Sequence, residues 1–363
     1  MRCGQRSGRG RERGGTSMSD LPHIGDFPAG PRRSISDVAG VTVGHRTIAT
    51  GPLQTGVTVV RPHLADPFLQ KLPAAAVVIN GFGKSVGLLQ LNELGVLETP
   101  IALTNTFAVG TVATAQIRSA IAANPGIART TTSVNPLVFE CSDAWLSDMQ
   151  ALAVTEDDYA AALAAAAVDF ERGSVGAGRG MSCFGLKGGI GTASRRLDSD
   201  RRSGIIGALV LANFGRLESL TIAGRRIGPA LAARLEGAAP QRDQGSVIVV
   251  LAIDAPLDHR QLRRVAMRGA AGIARTGSYY GHGSGDIVVA FSTAERIPHV
   301  AVGTVLSRRC LVEAELETLF RAAADVTEQA ILDALFSATT VTGFAGHTRH
   351  ALTEIAPDWA TLG

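Results

Sequence analysis

The sequence predicts a layered α/β fold. Strand-like and helix-like segments alternate over almost the whole chain of 363 residues, and no linker is long enough to divide it. The composition agrees with this prediction, because 45% of the residues are hydrophobic but only 5% are aromatic, and glycine occurs 42 times. A core of small and branched aliphatic residues suits closely packed layers of sheet and helix. We therefore expect a single domain over residues 21–363, preceded by a tail over residues 1–20.

The first half of the domain predicts a hairpin followed by alternating strands and helices. The runs SISDVAGVTVGH and QTGVTVVRP are rich in β-branched residues and are separated by a Gly/Pro turn region, which is typical of a hairpin. The apolar run at 74–80 predicts a buried strand, and residues 83–98 predict a helix. The strand-like run PIALTNTF and the helical segment TVATAQIRSAIAAN follow. A further helix is expected over 156–172, because acidic residues lie early in it and Arg172 lies late.

The second half opens with a segment dense in glycine, GSVGAGRGMSCFGLKGGIGTASR, which the strand-like run GIIGALVLANFG follows. A polar segment, GAAPQRDQG, then leads directly into the predicted strand SVIVVLAI. The helix LDHRQLRRVAMRGAAGIART, the strand DIVVAF and a long helix over 311–338 precede a final GFAGHTRH segment. Strand order does not follow from these signals.

Charge and composition argue against nucleic-acid and membrane partners. The formal net charge is +3, but the first 17 residues alone carry five arginines against Glu12, which leaves about −1 for the rest. The Gly/Arg/Ser composition of this tail predicts disorder, and the tail lacks the apolar region of a secretory signal. No uncharged apolar run reaches membrane-spanning length, and the four cysteines show no CxxC spacing. We expect a cytoplasmic protein.

Glycine and histidine motifs offer weaker alternatives. The Gly-Phe-Gly-Lys run at 81–84 and the Gly-Ala-Gly run at 176–178 do not complete a dinucleotide or phosphate-binding motif. His347 and His350 have HxxH spacing, but no third ligand lies nearby in the sequence, so we expect no metal. His282 lies close to Ser284 in the sequence, yet no GxSxG elbow supports a conventional catalytic triad.

The junction between Gly245 and Ser246 suggests a different chemistry. A serine at a strand start is ordinary, but cleavage before Ser246 would give it a free α-amine beside its own hydroxyl. Such an amine has a pKa of about 7.7–8.0 and accepts a proton near neutrality, so nucleophile and base would be one residue. Gly245 suits the scissile position because glycine tolerates strained dihedral angles and close approach.

At this junction the chain resembles a known family. The segments GSVIVVLAIDAPL and GSGDIVVAFSTA, together with the earlier blocks INGFGKSVGLLQLNELGVLETPIALTNT and GSVGAGRGMSCFGLKGGIGTASR, resemble the β-peptidyl aminopeptidases and L-aminopeptidase/D-esterases. The likeness covers roughly residues 34–350. It implies a four-layer αββα sandwich of the N-terminal-nucleophile-hydrolase type. It also implies self-cleavage into an α chain ending at Gly245 and a β chain over 246–363, a homotetramer of αβ units, and no metal or organic cofactor.

The resemblance also assigns roles to individual residues. Ser246 is the expected nucleophile, and Ser284 and Asp286 match the pair that contacts it. Asn213 matches the oxyanion-hole asparagine, whose side-chain amide stabilises charge on the tetrahedral intermediate. Glu140 matches the acid that binds the free amine of the substrate, which would favour cleavage at an N-terminus.

One stretch departs from the family pattern. Around Glu140 the chain reads ECSDAWLSD, so Ser142 and Ala144 stand where a larger polar or aromatic residue and a glycine are expected. Ser142 is still assigned to the substrate-binding part of the site. The substrates expected are small peptides, amides or esters. An endo-acting amidase on amide oligomers, an acyltransferase and an unprocessed binding protein are the alternatives, and side-chain preference and stereochemistry are left open.

Overall fold

Two β-sheets form the centre of the fold, in a computed structural model that describes residues 21–198, 204–235, 245–300 and 303–362. The predicted tail over 1–20 and most of the polar segment before Ser246 lie outside the described residues. The strands are β1 (Thr42–Thr50), β2 (Leu53–Arg61), β3 (Gln70–Gly81), β4 (Val96–Leu97), β5 (Ile101–Asn105), β6 (Leu137–Cys141), β7 (Ser182–Cys183), β8 (Leu186–Lys187), β9 (Gly189–Arg196), β10 (Ile205–Asn213), β11 (Thr221–Ile222), β12 (Arg225–Arg226), β13 (Ser246–Ile253), β14 (Gly285–Ser292), β15 (Ile297–Pro298), β16 (Val341–Thr342) and β17 (Thr348–Arg349). The helices are α1 (Leu88–Leu94), α2 (Val109–Ala123), α3 (Glu156–Ala164), α4 (Gly228–Arg234), α5 (His259–Arg275), α6 (Leu316–Phe336) and α7 (Leu352–Ile355).

The smaller sheet has the strand order β1-β2-β5-β6. β1 and β2 pair antiparallel along their whole length, which confirms the predicted hairpin. β5 and β6 are parallel, and Thr104 pairs with Glu140 one position before both strands end. This pairing places Glu140 at the edge of the sheet where the chain leaves β6.

The larger sheet has the order β15-β3-β14-β13-β10-β9, with β4 paired to β3. β13 is central: it pairs antiparallel with β10 and parallel with β14. All residues of β13 and β14 are buried. Strands covered on both faces are expected to read as continuous apolar runs, as the segments SVIVVLAI and DIVVAF do.

The side chains of β13 alternate between two cores. Ile248 and Val250 pack in the core between the two sheets, together with residues such as Phe139 of β6. Val247 and Val249 face the opposite core, which α5 and α6 cover. A third cluster joins the outer face of the smaller sheet to α2 and α3. The layers therefore follow the order αββα, and each fully buried aliphatic side chain contributes about 1.5–3 kcal/mol by its removal from water.

The helical layer over the larger sheet is tightly packed. Asp258 caps α5, since its side chain accepts a hydrogen bond from the Gln261 N–H at 2.7 Å. α6 approaches α5 closely at Gly272, where an added Cβ would lie 2.4 Å from the carbonyl oxygen of Ala324. Among the described residues, no helix combines the length and apolar character that crossing a bilayer requires.

Three predicted helices have different limits in the structure. The helix predicted over 156–172 ends at Ala164, because the backbone of Ala167 instead pairs with Val43 in both directions at 3.0 Å. The helix predicted over 83–98 is confined to α1, which lies between left-handed glycines at Gly87 and Gly95. The long C-terminal helix predicted over 311–338 is α6, which covers 316–336.

Candidate active site

Ser246 lies at the start of β13, between the ends of β10 and β14. It pairs with Asn213 on one side and with Gly285 on the other, and it is buried. Its Oγ accepts a hydrogen bond from the Gly285 N–H at 3.1 Å. The same N–H lies 3.3 Å from the carbonyl oxygen of Gly245. One backbone donor therefore contacts both the hydroxyl of the serine and the carbonyl group of the bond that precedes it.

Gly245 fits its position only because it lacks a side chain. A Cβ added there would lie 2.0 Å from the carbonyl oxygen of Asn213 and 2.5 Å from the Cα of Phe214. Both contacts are with backbone atoms, which cannot move without disturbing the end of β10. The chain thus passes directly against β10 just before Ser246.

The side chain of Asn213 is held by the backbone on two sides. Its Nδ2 donates to the carbonyl oxygen of Ser142 at 2.9 Å, and its Oδ1 accepts from the Ser182 N–H at 2.8 Å. These bonds fix which way the amide points. Nδ2 carries a second hydrogen beyond the one used here, so this buried amide has a further donor to offer next to Ser246.

Ser284 and Asp286 flank Gly285, the residue that contacts Ser246. The Ser284 hydroxyl donates to Oδ1 of Asp286 at 2.6 Å, and both residues are buried. The Ser284 carbonyl accepts from the side chain of Asn80 and from the Phe82 N–H, which ties this turn to the end of β3. Because Ser284 bonds directly to Asp286, no histidine lies between them as a conventional triad would require.

Glu140 is buried beside the same end of the sheet. Its Oε1 accepts from the Lys84 N–H at 2.8 Å, and its other oxygen accepts from the Thr106 hydroxyl. Glu140 and Ser246 open into one cavity of about 720 Å³. The cavity is lined by Phe82, Lys84, Thr106, Phe107, Glu140, Ser142, Met149, Arg216, Ser246, Tyr279, Gly281, His282 and Gly283.

Ser142 belongs to the site in a way that the sequence did not indicate. It lines the cavity, but its contact with Asn213 is made by its backbone carbonyl. Its hydroxyl lies 3.9 Å from the sulfur of Met149. The structure therefore brings together all the residues predicted from the sequence, namely Ser246, Gly245, Asn213, Ser284, Asp286, Glu140 and Ser142.

Several buried groups lie around the site in addition to the residues predicted for it. Cys141 donates from its thiol to the carbonyl oxygen of Ser246 at 3.3 Å, and burial raises the pKa of this thiol well above its usual value. Lys187 is fully buried and donates to the carbonyl oxygens of Gly178, Met181 and Gly188 at 2.8–2.9 Å. These three bonds hold together the glycine-rich block, whose Ser182 N–H donates to the side chain of Asn213. In the sequence, the glycines close to Lys187 could have indicated that it is buried.

Asp143 is a second buried acid near Glu140. It is fully buried, and burial raises the pKa of its carboxyl group from 3.8 to about 7. Thr55 and Asn105 are polar neighbours that partly oppose this rise, although neither meets hydrogen-bond geometry with the carboxyl oxygens. Asp143 therefore changes its charge near neutral pH, next to the chain segment that carries Glu140 and Ser142.

The HxxH pair has other contacts. The ring of His347 stacks on Trp145 with centroids 3.9 Å apart, and the backbone carbonyl of His350 accepts from the Lys187 N–H. Within the part of the chain that the structure describes, no group of three or more His, Cys, Asp or Glu side chains is arranged to hold a metal ion.

Known proteins are similar to this chain in sequence and in fold. The model of peptidase family S58 matches residues 33–349. The chain is 37% identical over 346 residues to the β-peptidyl aminopeptidase BapA of Sphingosinicella microcystinivorans, which covers 88% of this chain and 85% of that protein. It also resembles the solved β-aminopeptidase of a Burkholderia species, with a TM-score of 0.88 and 35% identity over 96% of this chain and 99% of that one.

A further solved structure bears on the fold. The chain resembles the L-aminopeptidase D-Ala-esterase/amidase of Ochrobactrum anthropi with a TM-score of 0.85 and 33% identity, over 95% of this chain and 99% of that one. That structure is described as a prototype for the serine aminopeptidases and as a new variant among the Ntn hydrolase fold. The fold class expected from the sequence is thereby confirmed.

Proposed function

This chain belongs to peptidase family S58 and is a serine aminopeptidase, and we propose that Ser246 becomes its N-terminal nucleophile when the Gly245–Ser246 bond cleaves itself. One observation carries the proposal: the Gly285 N–H contacts both the Ser246 hydroxyl and the Gly245 carbonyl oxygen. A donor at a carbonyl oxygen polarises it and stabilises the charge that attack would place there.

The self-cleavage follows an acyl shift. Ser246 Oγ attacks the carbonyl carbon of Gly245, the bond from that carbon to the Ser246 nitrogen breaks, and the nitrogen takes up the hydroxyl proton. The ester so formed is hydrolysed by water, which leaves a carboxylate on Gly245 and a free α-amine on Ser246. The clash of any side chain at 245 with β10 supports this site, because only glycine lets the chain pass against the β10 backbone directly before Ser246.

Hydrolysis of substrates then uses the same serine. The α-amine of Ser246 takes the hydroxyl proton as Oγ attacks the substrate carbonyl, and the proton passes to the departing amine. The acyl group stays on Oγ until water releases it. Asn213 is suited to stabilise the intermediate, because its amide is buried, held by the backbone and paired with Ser246. The Ser284–Asp286 pair would orient the protonated amine.

Glu140 gives the site its preference for a free N-terminus. Its buried carboxylate faces the cavity and would bind the ammonium group of the first residue of a substrate. We propose small peptides, amides and esters with α- or β-amino acid ends as substrates, as the names of the relatives suggest. We also propose that the protein is cytoplasmic and forms a homotetramer of αβ units.

Intact mass and N-terminal sequencing of the purified protein beside a Ser246→Ala variant test the proposal. The wild type should give fragments of 245 and 118 residues, about 25 and about 12 kDa when the 37.6 kDa chain is divided by length. The smaller should begin Ser-Val-Ile-Val, and the variant should remain intact. A folded wild type that stays uncut and inactive would contradict the mechanism and favour a binding protein.

A further inference from the structure

The cavity carries an acid on one side of Ser246 and a cation on the other. The larger sheet has the order β3-β14-β13-β10 across the site, with Ser246 at the start of β13. Glu140 is held from the β3 side, where its Oε1 accepts from the Lys84 N–H just after that strand. A Cβ added at Gly83 would lie 3.6 Å from this Oε1 and 3.9 Å from the Cα of Gly285.

Arg216 lines the same cavity from the opposite side. It comes three residues after the end of β10. In the sheet, β10 pairs with β13 on the side opposite to β14. Its side chain is exposed, and no carboxylate in residues 21–198, 204–235, 245–300 or 303–362 forms an ion pair with it. Arg216 therefore lines the cavity with a guanidinium group whose donors are available to an anion.

The other basic side chains that line the cavity lie on the Glu140 side. The Lys84 ammonium sits over the ring of Phe82, 4.3 Å from its centroid, directly after β3. The ring of His282 lies 6.3 Å from the same Phe82 ring. Among the described residues that line the cavity, Arg216 is thus the basic side chain on the side of Ser246 away from Glu140.

A substrate bound by Glu140 and attacked by Ser246 must direct its departing part toward β10. Its ammonium group lies on the β3 side, its scissile carbonyl lies at Ser246, and the portion beyond that carbonyl continues across β13. A dipeptide is about 7 Å long and adjacent strands are about 4.8 Å apart. The terminal carboxylate of a dipeptide therefore enters the region that Arg216 lines.

We propose that Arg216 binds the free α-carboxylate of the residue that leaves, so that the enzyme prefers dipeptides over the corresponding amides. A guanidinium group is suited to this role, because its planar donors match both oxygens of a carboxylate. The inference rests on the proposed function, since it takes Glu140 as the ammonium site and Ser246 as the nucleophile.

The test compares kcat/KM for alanyl-alanine and for alanyl-alanine amide. The wild type should favour the free acid by about tenfold, the factor that one charge-assisted hydrogen bond supplies. In Arg216→Gln this ratio should fall to about one, whereas Arg216→Lys should keep part of it. Because the guanidinium group is exposed, the preference should also weaken as salt rises.

Matched variants separate the possible outcomes. Arg226→Gln changes an exposed arginine of β12 that does not line the cavity, so it should keep the wild-type ratio. The proposal would be overturned if the wild type showed no preference or if Arg216→Gln kept the wild-type ratio. It would also be overturned if the preference were lost in Lys84→Gln instead. Self-cleavage reports on folding in every variant. Failure of the proposed function would look different, because neither substrate would be hydrolysed by the wild type.

Discussion

Asn213 and Ser246 face each other directly in the antiparallel ladder between β10 and β13. Two central strands of a buried sheet therefore set the distance between the proposed nucleophile and the amide proposed to stabilise the intermediate. The anchors on the amide come from Ser182 in the short strand β7 and from Ser142 directly after β6. Rigid elements hold reacting groups more accurately than loops do, which suits a site proposed to act first on its own backbone.

Replacing Asn213 by aspartate should remove the hydrogen-bond donor of this side chain and keep its acceptor. Aspartate keeps an oxygen for the Ser182 N–H but loses the donor to Ser142 and to the intermediate. We expect kcat to fall by about 10²–10³, the usual effect of removing an oxyanion-hole donor. Steady-state kinetics of the cut enzyme measure this effect. Turnover at the wild-type rate would remove Asn213 from the mechanism.

Gly245→Ala should impair self-cleavage. The new Cβ would lie 2.0 Å from the carbonyl oxygen of Asn213, so the start of β13 must shift, at a cost of about 1–3 kcal/mol in stability. The fraction of cut chain after expression, followed on a denaturing gel, measures the result. Gly110→Ala in α2 is the matched control, since a Cβ there has open space and should leave cleavage intact. Equal cleavage in both variants would show that space at 245 does not matter.

Glu140→Gln should reduce aminopeptidase activity while self-cleavage continues. The scissile bond of the precursor has no ammonium group for Glu140 to bind, whereas an N-terminal substrate does. We expect kcat/KM on a free-amine substrate to fall by about 10–100-fold, the value of a hydrogen bond to a charged group. Glu93→Gln, at an exposed position of α1, is the control. Activity that persists in Glu140→Gln would place the ammonium site elsewhere.

Asp143→Asn should alter how stability depends on pH. The carboxyl group of Asp143 has a pKa of about 7 in the folded state, against 3.8 ordinarily. Between these pH values the carboxyl group of Asp143 is ionised in the unfolded chain but protonated in the folded chain. The free energy of unfolding therefore falls as pH rises from about 4 to about 7. Asparagine removes this loss, which should amount to a few kcal/mol at pH 8.

Urea unfolding at pH 5 and pH 8 checks the Asp143 prediction. The Ser246→Ala background keeps the chain in one piece, and the difference in unfolding free energy between the proteins with and without the Asp143→Asn substitution isolates one group from the rest. Burial lowers the pKa of His45 to about 4, which gives the opposite slope at acidic pH but cancels in this difference. An identical pH dependence in the two proteins would mean that Asp143 is ionised throughout.

The strands of the larger sheet differ in how well the sequence predicts them. β10, β13 and β14 are continuous apolar runs and were predicted from that pattern. β9 was not, because its buried positions include Thr192, Ser194 and Arg195. The partners of these polar side chains are remote in sequence: Arg195, for example, donates to Gln329 on α6. Local periodicity cannot show that a polar residue will be buried by a distant partner.

The site shows the same limit. Ser246 stood out because a polar segment meets a strand there, and because its chemistry suits a free amine. Asn213, Glu140 and Ser284 are single polar residues near strand ends, and only the family resemblance distinguished them. The roles of Gly285 and Arg216 depend on which strands are neighbours, and strand order could not be predicted.

The strand order also governs the lifetime of a cut enzyme. β13 and β14 lie between β10 and β3, so the two chains would be interleaved within one sheet. The precursor folds as one chain, but once cut and unfolded the two pieces would have to find each other again, at a rate that falls with dilution. The durability of the mature enzyme would then depend on how slowly it unfolds, and no longer on a reversible equilibrium.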